Sequence, residues 1–107
     1  MSEFVAVAKT NELSDPGKLL VEVGERLVVL IHAAGHYYAL DDICTHDGGP
    51  LSEGPLDPDA GTIMCPRHGA KFDVKTGAAL TMPATKPTAS HQVKIDGDRI
   101  LVRLCDG

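Results

Sequence analysis

The sequence predicts an all-β fold, an antiparallel sandwich or barrel with a small subdomain inserted into it. Three observations predict this. Short runs rich in Val, Ile and Leu recur along the chain, separated by turns built from Gly, Pro, Asn and Asp. No stretch shows the three-and-four spacing of apolar residues that marks an amphipathic helix. Two loops, Cys44-Thr45-His46-Asp47-Gly48-Gly49 and Cys65-Pro66-Arg67-His68-Gly69-Ala70, interrupt the strand pattern, each carrying one cysteine and one histidine.

Phe4 to Ala8 reads as the first strand, and Asn11 to Gly17, with Ser14-Asp15-Pro16-Gly17, as a turn. Leu19 to Val23 and Leu27 to Ile31 are strands joined through Gly24-Glu25, a two-residue hairpin connection. The second run is apolar on both faces and is expected to be a doubly covered central strand. Ala33-Ala34-Gly35 turns the chain into a strand, His36 to Leu40, with Tyr37 and Tyr38 pointing one in and one out. Asp41-Asp42-Ile43 then leads to the first Cys/His loop.

Between the two loops lie Pro50, Gly54, Pro55, Pro58 and Gly61, so no helix is expected there. A hairpin turning at Asp57 to Gly61 would bring Thr62-Ile63-Met64 up to Cys65 and set the loops side by side. Lys71 to Val74 is a short strand ending at Lys75-Thr76-Gly77, and Met82 to Pro87 is a proline-bounded loop. Two alternating strands close the chain, Gln92 to Ile95 and Arg99 to Leu104, hinged at Asp96-Gly97-Asp98. In the last of them Ile100, Val102 and Leu104 face in and Arg99 and Arg103 face out.

At 107 residues the chain is one domain, residues 1–107, with the inserted subdomain at about residues 43–83. Trp is absent and only two Phe and two Tyr are present, so the core must come from Val, Leu, Ile and Ala. Three cysteines, two of them in the Cys/His loops, argue against a disulfide framework and for a reducing compartment. No apolar run spans a bilayer and no signal peptide is visible, so a soluble cytoplasmic protein with no membrane association is expected. A formal charge of −5 speaks against nucleic acid as a partner. From Leu27 to Pro66 there is no Lys or Arg, while Asp41, Asp42, Asp47, Glu53, Asp57 and Asp59 fall inside. Such a block is ordinary loop surface or a field that steers a basic partner.

The two loops carry the chemistry. Two thiolates and two neutral imidazoles, delivered by Cys44, His46, Cys65 and His68, suit either zinc or an iron–sulfur centre. Zinc sites usually draw two thiolates from one knuckle, whereas here each loop is mixed. In a two-iron cluster each loop can give one ligand to each iron, so the cluster bolts the loops together. Gly48, Gly49 and Gly69 would let the backbone approach closely.

On these loops, on Pro50-Leu51-Ser52-Glu53-Gly54, on Gly69-Ala70-Lys71-Phe72-Asp73 with Thr76-Gly77, and on Pro83-Ala84-Thr85, the chain resembles the Rieske iron–sulfur proteins. It is most similar to the small soluble ferredoxins that serve bacterial oxygenases. The resemblance implies a Rieske-like β-sandwich or barrel and a [2Fe-2S] cluster held by Cys44, His46, Cys65 and His68. It implies that His46 and His68 reach the surface as the electron's exit, and that the loop from Met82 to Pro87 covers a third side. Met82 stands where family members often have Gly.

Two ferric irons, two sulfides and two thiolates sum to zero charge, so adding one electron costs less than in an all-cysteine cluster. His-ligated clusters accordingly lie between about −150 and +300 mV, against about −400 mV for plant-type ferredoxins. High-potential members carry an extra cysteine in each loop, joined as a disulfide, and Ser and Tyr hydroxyls toward the sulfurs. At the matching positions this chain has Gly49 and Arg67, and Ala70 and Phe72. Losing two hydrogen bonds lowers the potential by on the order of a hundred millivolts, which implies a low-potential centre.

His32 and His36 are expected to be surface polar residues flanking a turn, His91 a packing residue, and Cys105 a spare thiol. No catalytic triad or phosphate-binding Gly loop is present, and the chain has no room for the mononuclear iron site of an oxygenase. The resemblance therefore implies a one-electron carrier that is not itself an enzyme. It takes electrons from a flavin-containing NAD(P)H reductase and passes them to a terminal, aromatic-ring-hydroxylating oxygenase. The alternatives are a small Rieske subunit of a nitrite reductase and a zinc-stabilised interaction module.

Overall fold

A computed structural model of the chain describes residues 3–43, 49–66, 69–82 and 86–105. Among these residues nine strands follow in order: β1 (Val5–Lys9), β2 (Gly17–Val23), β3 (Arg26–Ala33), β4 (His36–Asp41), β5 (Leu56–Asp57), β6 (Thr62–Met64), β7 (Lys71–Asp73), β8 (Ser90–Asp96) and β9 (Arg99–Arg103). Two 3₁₀ turns, Thr10–Glu12 and Leu51–Glu53, complete the elements. The second lies where no helix was expected. A single such turn needs only the Glu53 N–H to Pro50 carbonyl and Gly54 N–H to Leu51 carbonyl bonds, at 3.3 and 3.0 Å, so it fits between the breakers.

All strand pairing is antiparallel. A six-stranded sheet runs β1-β9-β8-β4-β3-β2, and its end strands β1 and β2 lie against each other, curling it nearly closed. A three-stranded sheet, β5-β6-β7, stands apart. It is inserted in sequence between β4 and β8, which pair with each other at Ala39↔His91 and Leu40↔Ser90.

The β2–β3 hairpin closes through Gly24-Glu25, with Val23 opposite Arg26, as the sequence predicts. Val28, Val29, Leu30 and Ile31 have no exposed surface, so β3 is covered on both faces. Period-two alternation divides it between two cores. Val28 and Leu30 join Leu13, Val23, Ala39, Ile100 and Val102 inside the curled sheet. Val29, Ile31 and Ala33 join Leu40, Leu51, Ile63, Cys65, Ala70, Phe72 and Val74, the layer between the two sheets. The same division corrects the expectation for β4. Tyr38 packs on the inter-sheet core and Tyr37 on the interior core, so both rings are half-buried and neither points out. None of the described helices is long and apolar enough to cross a membrane.

Candidate metal centre

Of the four expected ligands, Cys65 lies among the described residues; Cys44, His46 and His68 lie outside them, as do Gly48, Arg67 and residues 83–85. What the structure describes is how the flanks of the two loops are fastened.

The first loop is closed at its base by Asp42. Its two carboxylate oxygens accept hydrogen bonds from the Ser52 N–H at 2.6 Å and the Ser52 hydroxyl at 3.0 Å. The Asp42 N–H donates to the Leu27 carbonyl at 3.0 Å, and the Lys18 ammonium donates to the Ser52 carbonyl. Both ends of the loop are thus tied to the β2–β3 hairpin.

The chain leaving the first loop then lies flat against the strand that enters the second. The Met64 N–H donates to the Pro55 carbonyl at 3.0 Å. Gly54 makes this possible, because a Cβ there would sit 1.7 Å from the Met64 carbonyl oxygen. Cys65 follows directly.

The second loop caps the β6–β7 hairpin, where Met64 pairs with Lys71. Its base is closed by the Cys65 N–H to Ala70 carbonyl bond at 2.7 Å and the Gly69 N–H to Cys65 carbonyl bond at 3.1 Å. Gly69 turns at φ +74°, a conformation that other residues adopt only with strain, while 3.7 Å separates its would-be Cβ from the nearest atom. Backbone conformation, rather than space, is therefore what demands glycine here.

Cys65 is 1% exposed and outside any disulfide. Ala70 and Phe72, which flank it on the hairpin, have no exposed surface and bring no hydroxyl. Residues 79–81 run beside β7, through the Phe72↔Ala79 bridge and the Lys71 N–H to Thr81 hydroxyl bond at 2.8 Å. They deliver Met82, which is 74% exposed. Among the described residues no group of three or more His, Cys, Asp and Glu side chains converges as a metal site. A buried thiol at the tip of one hairpin, with the flanks of a second Cys/His loop strapped beside it, fits a centre that takes ligands from both loops.

The acidic run is only partly surface. Asp41 and Asp42 are committed to structural bonds, and the Asp57 carboxylate caps the β5–β6 turn by accepting from the Asp59 and Ala60 N–H groups, both at 3.1 Å. Glu53, Asp57 and Asp59 remain exposed.

Two histidines depart from expectation. His32 is not a surface residue: its side chain is 15% exposed, its ring stacks on Tyr37 at 3.8 Å, and Nδ1 donates to the Leu13 carbonyl at 3.2 Å. Cross-strand pairing with Tyr37 draws it in. His91 does more than pack. Its Nε2 lies 2.8 Å from Asp41 Oδ1, and its Nδ1 accepts the Cys105 N–H at 3.0 Å. The cysteine expected to be a spare thiol thus has an exposed side chain and a committed backbone. His36 is exposed, as expected.

Comparison with known proteins places this architecture. Residues 3–96 match the family model for the Rieske [2Fe-2S] domain. The 3-phenylpropionate/cinnamic acid dioxygenase ferredoxin subunit of Escherichia coli K12 is 41% identical over 78 residues, 73% of each chain. The solved ferredoxin of carbazole 1,9a-dioxygenase from Nocardioides aromaticivorans IC177 superposes with a TM-score of 0.91 at 29% identity, over 95% of this chain and 98% of that one. A carbazole 1,9a-dioxygenase complex of reduced oxygenase and oxidised ferredoxin matches with a TM-score of 0.86 at 30% identity, over 94% of this chain and 92% of that one. With the family model spanning nearly all of its length, the chain belongs to the Rieske [2Fe-2S] domain family.

Proposed function

We propose that the protein is a one-electron carrier whose [2Fe-2S] cluster is held by Cys44 and Cys65 on one iron and by His46 and His68 on the other. The observation that carries this reading is the placement of Cys65: a buried thiol at a hairpin tip, with the flanks of the other Cys/His loop strapped beside it through Gly54 and Asp42. The cluster subdomain covers about residues 43–83 of the single domain. When bound, a Rieske cluster supplies reversible one-electron storage at a nearly neutral centre. The chain's own residues set its surroundings. Ala70 and Phe72 fill the second hairpin with apolar surface and bring no hydroxyl to a sulfur, which supports a potential near the bottom of the Rieske range, toward about −150 mV.

The electron comes from a flavin-containing NAD(P)H reductase and goes to a terminal oxygenase that hydroxylates aromatic rings. The names of the ferredoxin relatives and the solved oxygenase–ferredoxin complex support this choice of acceptor. Ile43, just before the first loop, and Leu80 and Met82, on the segment that follows β7, are exposed apolar residues suited to a transient protein contact. The reading places the carrier in the cytoplasm.

Purified protein is expected to be red-brown, with a rhombic EPR signal after reduction that Cys65→Ser abolishes. A colourless protein holding zinc would overturn the reading in favour of an interaction module, and a potential above about +100 mV would overturn the low-potential assignment. Coupled turnover with a flavin reductase and an aromatic-ring oxygenase, set against turnover with a nitrite reductase, separates the remaining alternative.

A further inference from the structure

The inserted sheet hangs from the larger one by a neck, where the chain leaves β4 at Asp41 and returns to β8 through residues 88–91. At this neck three polar groups of Asp41 meet the returning segment. Its N–H donates to the Ala89 carbonyl at 2.8 Å, its carbonyl accepts from the Thr88 hydroxyl at 3.5 Å, and its Oδ1 faces His91 Nε2 at 2.8 Å. Thr88 and His91 are the two buried polar residues among the described ones. The His91 side chain has no exposed surface, and Arg26 stands 3.8 Å from the same Asp41 oxygen.

The hydrogen-bond partners fix the imidazole's state. The Cys105 backbone can only donate, so Nδ1 carries no proton and accepts. Nε2 then holds the single proton of a neutral ring and donates it to the Asp41 carboxylate. Both ring nitrogens are satisfied in a site closed to solvent, which is how a buried imidazole avoids the cost of an unpaired polar atom.

We infer that His91 is a positioning residue for the cluster: acting through Asp41, it locks the neck and so fixes the stretch from which the first Cys/His loop departs. Asp41 and Asp42 are consecutive, the first bound to the returning segment and the second to Ser52 across the loop. A displacement of Asp41 therefore passes directly to the base of the loop carrying Cys44 and His46. The inference rests on the electron-carrier reading and adds to it a residue outside both loops.

Three variants test it. His91→Gln keeps a donor toward Asp41 and gives up the bond from Cys105; His91→Asn does the reverse; His91→Phe fills the space and makes neither bond. The expected result is that His91→Gln keeps the EPR g-values and midpoint potential of the parent. His91→Asn and His91→Phe should broaden the g-values and change the equilibrium constant for reduction about threefold or more, equivalent to about 28 mV at 59 mV per tenfold. Should His91→Phe fail to fold, His91→Asn against His91→Gln gives the same contrast. Hydrogen exchange of the Cys105 amide, read without reference to the cluster, should speed up at least tenfold in His91→Gln and stay slow in His91→Asn. Variants that lose thermal stability alike while all keep the parent g-values and potential would overturn the inference and leave His91 a structural filler. So would a His91 ¹⁵N spectrum with the proton on Nδ1. A parent protein that binds no iron would instead sink the electron-carrier reading itself.

Discussion

The two sheets of this molecule are held together by different means. The six-stranded sheet rests mainly on long ladders: β2 and β3 pair over seven successive residues, β3 and β4 over six and β8 and β9 over five, with β4 and β8 joined by two pairs. Its strand β3, next to the end strand β2, is apolar on both faces, so cooperative burial of aliphatic side chains stabilises it. The three-stranded sheet has only two register pairs between β5 and β6 and three between β6 and β7. It is held instead by individual contacts: Gly54 against Met64, Asp42 on Ser52, and Asp57 and Asp73 capping their turns. A sheet built on ladders tolerates the loss of any one contact, whereas one built on single contacts does not, and a metal centre that joins its loops adds folding energy where ladders are short.

Gly54→Ala should break this contrast most severely. The new methyl would lie 1.7 Å from the Met64 carbonyl oxygen and 2.9 Å from its carbon, both backbone atoms that cannot rotate away. A cost of at least about 3 kcal/mol is expected, concentrated in the smaller sheet. The check is iron content per protein together with hydrogen exchange. Iron should fall well below the parent, and protection in β5–β7 should collapse while that in β2–β4 persists. Equal loss of protection in both sheets would show that they unfold as one unit.

Core truncations sharpen the comparison at a cost that is similar but more locally confined to side chains. Leu30→Ala, inside the curled sheet, should cost about 2–5 kcal/mol, and Phe72→Ala, in the inter-sheet layer beside Cys65, about 3–5 kcal/mol. Chemical denaturation measures both. The discriminating readout is the EPR signal of whatever protein remains folded, expected to be unaltered for Leu30→Ala and perturbed for Phe72→Ala, because only the second shares a core with Cys65.

Asp42→Ala comes next. It removes a bidentate, charge-assisted cap from Ser52 on a half-buried carboxylate, for an expected loss of about 1–2 kcal/mol. The first loop would lose its clasp while the ladders stay whole. Cluster loss under a chelator should therefore accelerate severalfold with little change in the exchange protection of β3.

This contrast also explains how much could be read from the sequence alone. The β2–β3 and β8–β9 hairpins were legible because Gly24-Glu25 and Gly97-Asp98 state their turns locally, and Val28 to Ile31 states double burial by having no polar face. The β5–β6 hairpin was legible from Asp57-Pro58-Asp59-Ala60-Gly61 for the same reason. What was not legible depends on partners far along the chain. His91 meets Asp41 across 50 positions, and nothing beside either residue marks the pair. Gly54 gives no local sign either, since a glycine required by a neighbour's backbone reads like any glycine in a loop. Tyr38 is half-buried by a sheet that forms only when the inserted segment folds back over β3 and β4. Local turn chemistry and strand period are written in consecutive residues; close approach and buried polar pairing are not.

The smallest expected effect is a gain, and it tests whether the larger sheet can be strengthened without touching the metal centre. The β3–β4 turn places Ala34 at φ +52° and Gly35 at φ +80°. Positive φ at both central residues is the mark of a type I′ turn, whose preferred sequence is Asn-Gly. Alanine is there at a cost of about 1–2 kcal/mol, because its Cβ crowds the carbonyl oxygen in the left-handed region, and asparagine tolerates that region better. Ala34 is exposed, so a longer polar side chain meets water. Ala34→Asn should therefore raise stability by about 0.5–1 kcal/mol, seen as a higher denaturation midpoint, with EPR signal and potential unchanged. If the substitution stabilises the fold and also shifts the potential, the two sheets are coupled more tightly than their separate fastenings imply. If it leaves both unchanged, the turn relaxes around alanine and carries no strain to release.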